Sequence, residues 1–185
     1  MKNSYASGQI CYLRIPEESD VNSNWYQWFS DSQVTKYLVD RFWPNSQAEQ
    51  LDFVQKLAKN RAHLVLLICD SVSDVAVGVC SLSAINWSHR YADWAIVLPN
   101  SSKADPRVAL EASSLILNVA FNKLNLLNIR TFTVSTNSLS IKLQDFLGFK
   151  QVGEFENIYT IDGKPCNLVC MQLNVDNWKK NRTLT

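Results

Sequence analysis

Three consecutive runs rich in β-branched and apolar residues, with no helix between them, set the strongest limit on the fold. They are "HLVLLICD" (His63 to Asp70), "VAVGVCSLSAI" (Val75 to Ile85) and "RYADWAIVL" (Arg90 to Leu98). Such residues suit a pleated, half-buried surface. The polar "SVSD" between the first two runs predicts an antiparallel hairpin, and the third run adds a strand beside it. Successive strands of this kind argue against a purely parallel dinucleotide-binding sheet.

The rest of the chain divides around this block. Upstream, "QICYLRI" reads as a short strand, and "SNWYQWFSDSQVTKYL" puts Trp25, Trp28 and Phe29 at helical spacing, then Val34, Tyr37 and Leu38 beyond a break at Asp31. In "SQAEQLDFVQKLAKN" the Ser46 and Glu49 spacing is that of a capping box, with Leu51, Val54, Leu57 and Ala58 continuing one face. Downstream the order becomes α/β. Asp105 and Pro106 suit a cap and a first turn, and Val108, Ala112, Leu115, Ile116 and Val119 trace a buried stripe that ends near Asn122 or Leu124. "IRTFTVS" is the next strand. Ser138 is read as the cap of a further helix whose Leu139, Leu143, Phe146 and Leu147 share a face before Gly148 ends it. "FENIYTID", "GKP" and "CNLVCMQLNV" form a closing hairpin.

At 185 residues the expectation is one domain over residues 1–185, of mixed α/β (α+β) class. The formal net charge is +1, and the basic "WKKNR" near the end reads as a solvated tail, so no nucleic-acid partner is expected. The five cysteines form no CxxC pair and read as buried free thiols of a reducing compartment. "MKNSYASGQICYLRI" lacks the apolar stretch of a signal peptide, and no segment approaches the roughly 18 apolar residues of a membrane span, so a cytoplasmic location without a membrane partner is expected.

The order of elements, with "WYQWFSDSQVTKYL", "ALEASSLILNVAFNKLNLLNI" and "VSTNSLSIKLQDFLGFKQVGEF", resembles the GCN5-related N-acetyltransferase (GNAT) family over roughly Ile10 to Trp178. It is similar to the branch that contains the ribosomal-protein alanine N-acetyltransferases and many acetyltransferases of small amines and amino sugars. The resemblance implies a largely antiparallel sheet with a splayed cofactor cleft, acetyl-CoA as cosubstrate and no metal. The acceptor would be a primary amine on a small molecule or a peptide: a protein amino terminus, an amino sugar or a small amine.

The family's pyrophosphate loop places an arginine or glutamine, two spacers, a glycine, one spacer and a glycine or alanine. The same register here reads Ala104, Asp105, Pro106, Arg107, Val108, Ala109, so only the final small residue is kept, and Glu111 matches the glutamate that commonly follows. Glycine permits amide-exposing turns, whereas Pro106 removes a donor and Asp105 brings negative charge. Arg107, with the helix-start amides of Val108 and Ala109, is the compensating phosphate contact. The alternative is that Asp105 caps, Pro106 starts the helix and Arg107 is solvated.

The resemblance assigns the carbonyl-holding backbone to Ile96 and Val97, and the pantetheine contact to Asn137. Asp93 is the preferred base or ammonium anchor; the other reading is a polar residue on a strand face. His89, an imidazole and so of the type that titrates nearest neutrality, could act through water or be a turn residue. His63, opening an apolar strand, reads as structural. The family's tyrosine near the leaving sulfur is replaced by Gln144, which can donate a hydrogen bond but not a proton, leaving Ser138, Ser140 or a water to assist.

Trp25, Trp28, Tyr37, Phe42, Trp43, Trp87 and Tyr159 are candidates for an acceptor pocket, of which only a few are expected to meet a ligand. The cysteines lack a paired base, which disfavours an acetyl-cysteine route. The rival to transfer is a non-catalytic member that keeps the fold for ligand sensing or protein association. Homodimer formation through the last strands or the early helices stays open.

Overall fold

The computed structural model describes residues 3–23, 25–38, 43, 45–99 and 107–182. Its frame is a single sheet of eight strands: β1 (Ser4–Ser7), β2 (Cys11–Arg14), β3 (Leu64–Asp70), β4 (Ala76–Asn86), β5 (Tyr91–Val97), β6 (Asn128–Val134), β7 (Lys150–Ile161) and β8 (Lys164–Asn174). The spatial order is β1-β2-β3-β4-β5-β6-β8-β7. Every neighbouring pair is antiparallel except β5 and β6, which run parallel.

The unbroken apolar run of β3 follows from cover on both faces. Leu66 and Ile68 point into a core shared with Leu82, Trp94, Ala112 and Ile116. Val65, Leu67 and Cys69 point the other way, onto a smaller core with Trp25 and Val54. The first face is covered by α4 (Arg107–Asn118), which continues into a wider turn at Val119–Lys123, and by α5 (Ser138–Leu147) and α6 (Val175–Arg182). The second is covered by a short 3-10 turn at Glu18–Asn22, α1 (Trp25–Trp28) and α3 (Gln47–Leu57).

Local chemistry explains the element ends. Asp31 breaks the first helical stretch by capping α2 (Ser32–Thr35), its carboxylate accepting the Gln33 N–H at 2.8 Å. Ser46 and Glu49 close the capping box: the Glu49 N–H donates to Ser46 Oγ at 3.2 Å and the Ser46 N–H to Glu49 Oε2 at 3.0 Å. Replacing Ser46 by Ala is expected to cost about 1 kcal/mol, read as a lower urea midpoint at unchanged slope. Gly148 ends α5 at φ 92°, a left-handed conformation that favours glycine.

Several expectations are corrected. Asn137, not Ser138, caps α5; its side chain accepts the Ser140 N–H. Leu139 and Phe146 lie exposed rather than on the packed face, which is centred on Gln144 and Leu147. The "WKKNR" stretch is not a solvated tail, because Trp178 is buried in α6 with its ring 5.9 Å from that of Phe121. Strand β1 was unforeseen. Asp105 and Pro106 lie outside the described residues.

Glu111 has a definite task. From the first turns of α4 it accepts the backbone N–H groups of Gln9 (2.7 Å), Ile10 (2.9 Å) and Cys11 (2.8 Å), locking the β1–β2 connection to the helix. Gly8 makes room for this carboxylate, since any Cβ there would overlap it.

Candidate active site

Parallel pairing between β5 and β6 covers only Tyr91 with Asn128, Ala92 with Ile129 and Asp93 with Arg130. Beyond these pairs β5 stays hydrogen-bonded to β4 as far as Val97, and β6 to β8 as far as Val134. The two strands therefore diverge, and the facing edges at residues 94–97 and 131–134 no longer serve one another. A strand edge without a neighbour offers backbone donors and acceptors to whatever enters.

A cavity of about 290 Å³ occupies this wedge. Trp94, Ile96 and Val97 form its β5 wall, and Thr131, Phe132 and Thr133 its β6 wall. Asn137, Ser140 and Gln144 of α5 reach it from below, while Gln33 and Tyr37 approach from the early helices. Gln144 is 1% exposed, and its amide Nε2 donates to Thr133 Oγ1 at 2.7 Å, Ser140 Oγ at 3.0 Å and Thr131 Oγ1 at 3.4 Å.

Two buried polar atoms of this wall have no protein partner: Gln144 Oε1 and Trp94 Nε1. Such unsatisfied groups are costly in an interior, and neither atom is open to solvent. Trp94 is held by stacking on Phe149, ring centroids 5.5 Å apart.

A second, larger cavity of about 600 Å³ lies against the other face of the sheet. Trp25, Phe53 and His63 line it over a floor of Val65, Ser81 and Ala95. Ala95, Val97 and Leu38 border both cavities, so the two meet at the end of β5. Burial holds the His63 imidazole below its ordinary range, and its ring packs edge-on to Phe53 at 5.9 Å. Burial pushes the Cys80 thiol up, so this cavity neighbour is no ready thiolate.

The residues singled out from sequence fare differently. Ile96, Val97, Asn137 and Gln144 converge on the wedge. Asp93 sits at its vertex, tied to Arg130, whose Nε and Nη2 both reach Asp93 Oδ1 at 2.8 Å. His89 does not join them. It lies in the exposed turn before β5, its N–H bound to Asn86 Oδ1, beyond the paired end of the strands and so opposite the opening. Between it and Ile96 runs the strand from Tyr91, a span of about 17 Å.

Arg107, Val108 and Ala109 form the first turn of the described α4. Arg107 is exposed, whereas the Val108 side chain is buried in the main core and can offer only its backbone. Of the aromatic candidates, Trp25 and Trp43 line the large cavity and Tyr37 the wedge. Trp28 packs against the smaller core, and Tyr159 packs beside Val134 and Ile161. Trp87 is exposed, with its indole donating to the Arg61 carbonyl. Phe42 lies outside the described residues. Thr131, Thr133, Trp94 and His63 were missed as lining residues, the threonines because they read simply as strand formers.

The sheet order and the open wedge between its two parallel strands agree with the acetyltransferase resemblance of the sequence. Residues 11–150 match the sequence model of the acetyltransferase (GNAT) domain, which places the chain in that acetyltransferase family. Among solved structures, a spermidine N-acetyltransferase from Vibrio cholerae, in complex with CoA and spermine, superposes with a TM-score of 0.85. The identity is 19%, over 93% of this chain and 99% of that one. A GNAT-family acetyltransferase from Bacillus anthracis gives 0.77 at 16% identity, over 91% and 97%. No curated protein matches the chain in sequence. The fold expectation is thus met, including the splayed sheet.

Proposed function

We propose that the chain transfers an acetyl group from acetyl-CoA to a primary amine, with the thioester lodged in the β5–β6 wedge. The observation that carries this reading is the divergence of β5 from β6 beyond the Asp93–Arg130 pair, which opens a cavity between two strand edges that no longer serve one another. The pantetheine arm of CoA carries amide C=O and N–H groups, which such edges can answer. The Vibrio cholerae relative, a spermidine N-acetyltransferase in complex with CoA, supports the same reading.

In this reading the backbone at Ile96 and Val97 holds the acetyl carbonyl, where negative charge develops as the amine adds. The amine nitrogen bonds to the carbonyl carbon, the C–S bond breaks, and the nitrogen gives up its proton. Gln144, whose amide N–H groups already go to Thr133 and Ser140, supplies no proton, and the departing thiolate is protonated from water. Asn137, whose Oδ1 is used as a cap, offers its amide nitrogen to the pantetheine arm. Asp93, bound on one side by Arg130, serves as an anchor for the incoming ammonium or receives its proton through water. Arg107, Val108 and Ala109 would meet the pyrophosphate at the start of α4, a charge-assisted contact and two amides in place of the glycine loop.

Calorimetric titration with acetyl-CoA and with CoA tests this directly. Binding of both in the micromolar range is expected, and Arg107→Ala should weaken each by about tenfold, the value of one charge-assisted phosphate contact. No heat with either ligand would return the chain to the rival reading, a fold kept for sensing or association.

A further inference from the structure

We infer that the amine acceptor is carried on an apolar body, an aryl- or alkylamine rather than a polyamine or amino sugar, and that this body occupies the large cavity beside the wedge. The inference rests on the transfer reading above and adds the substrate class.

Continuity is the first argument. Ala95, Val97 and Leu38 border both cavities, so an amine at the wedge has its remaining atoms in the large cavity. Its walls are Trp25, Phe29, Phe53, Val65 and Val79, a surface that rewards burial of carbon. A polyamine would bring additional ammonium groups, each requiring a carboxylate or water once inside. Among the described lining residues Glu49 is the only carboxylate, and its Oε2 is already bound by the Ser46 N–H and Oγ, both at 3.0 Å. Asp93, two residues along β5 from Ala95 and on the same face, has Oδ1 held by Arg130 and is taken up with the reacting amine itself, so it does not answer a second ammonium.

The polar groups that are present argue against a sugar. Gln50 Oε1 accepts from Asn45 Nδ2 at 2.7 Å, and His63, whose imidazole burial holds below its ordinary range, packs on Phe53. A hexosamine presents hydroxyls around its whole ring, and few groups here could answer them.

The test compares phenethylamine, hexylamine, spermidine and glucosamine as acceptors with the full-length protein and acetyl-CoA, alongside calorimetric binding of acetyl-CoA. The inference expects kcat/KM for phenethylamine or hexylamine to exceed that for spermidine and glucosamine by at least about tenfold. Ser81→Asp, which puts a carboxylate on the cavity floor, should narrow the gap with spermidine while acetyl-CoA binding persists. Spermidine or glucosamine turned over as well as the apolar amines would overturn this inference and leave the transfer reading standing. No acetylation of any amine by protein that binds acetyl-CoA would remove the transfer reading, and this one with it.

Discussion

Glu111→Ala should lower the free energy of unfolding by about 1.5–3 kcal/mol, the range for hydrogen bonds to a charged group. The carboxylate answers three consecutive backbone N–H groups at Gln9, Ile10 and Cys11, on a turn that is also closed by the Gly8 N–H on the Cys11 carbonyl at 2.9 Å. Removing it leaves those donors facing the α4 surface, where Gly8 has already made the approach close. Glu111→Gln keeps the shape but replaces one acceptor oxygen by a donor, and should lose about 1 kcal/mol. Equilibrium urea unfolding measures both. Variants within about 0.5 kcal/mol of wild type, the effect of an ordinary surface change, would mean that the connection is held by something else.

The same contacts set an acid dependence. Burial works to raise the Glu111 pKa, but the three backbone donors outweigh it and hold the carboxyl below its ordinary range. A depressed folded value favours folding at every pH above the unfolded value of about 4.3, and that contribution fades as pH falls through the lower folded one. Wild type therefore loses part of its stability on acidification below about pH 4, where Glu111→Gln, which has no such proton to gain, loses less.

Much of the fold was readable because the period of the sequence changes where the structure does. The β3 run is apolar throughout since both faces are covered, the Ser46–Glu49 box marks the start of α3, and Gly148 stops α5. Reading failed where a helix borders a cavity. Leu139 and Phe146 look like core positions, yet α5 turns Gln144 toward the interior to meet the threonines of β6, and the apolar pair is left outside. Trp178 was lost to its charged neighbours, because two lysines in a row look solvated even when the helix carrying them buries its tryptophan.

The candidate site shows a similar division. Gln144 and Asn137 could be found because resemblance fixed their register with "LGF". His89 could not be rejected from sequence, since four residues from Asp93 looks close until the direction of the opening is known. The Asp93–Arg130 tie joins residues 37 apart in sequence through a parallel pairing that no local pattern announces.

Gln144→Glu isolates the one side chain in which this chain departs most from its family's chemistry. The substitution preserves volume, and the hydroxyls of Thr131, Thr133 and Ser140 can rotate to donate to a carboxylate as readily as they accept from the amide. Geometry is thus kept while the charge changes. At about pH 8 an ionised carboxylate would stand near the sulfur as it leaves with negative charge, and kcat should fall on the order of a hundredfold, an opposing charge being comparable to the loss of one donor to a developing anion. Lowering the pH protonates the variant and removes the opposing charge, so its activity should rise relative to wild type. Gln144→Met, neutral at all pH values, should show a reduced rate without that recovery. A Gln144→Glu profile parallel to wild type, with the same thermal stability, would show that the departing sulfur does not lie against Gln144.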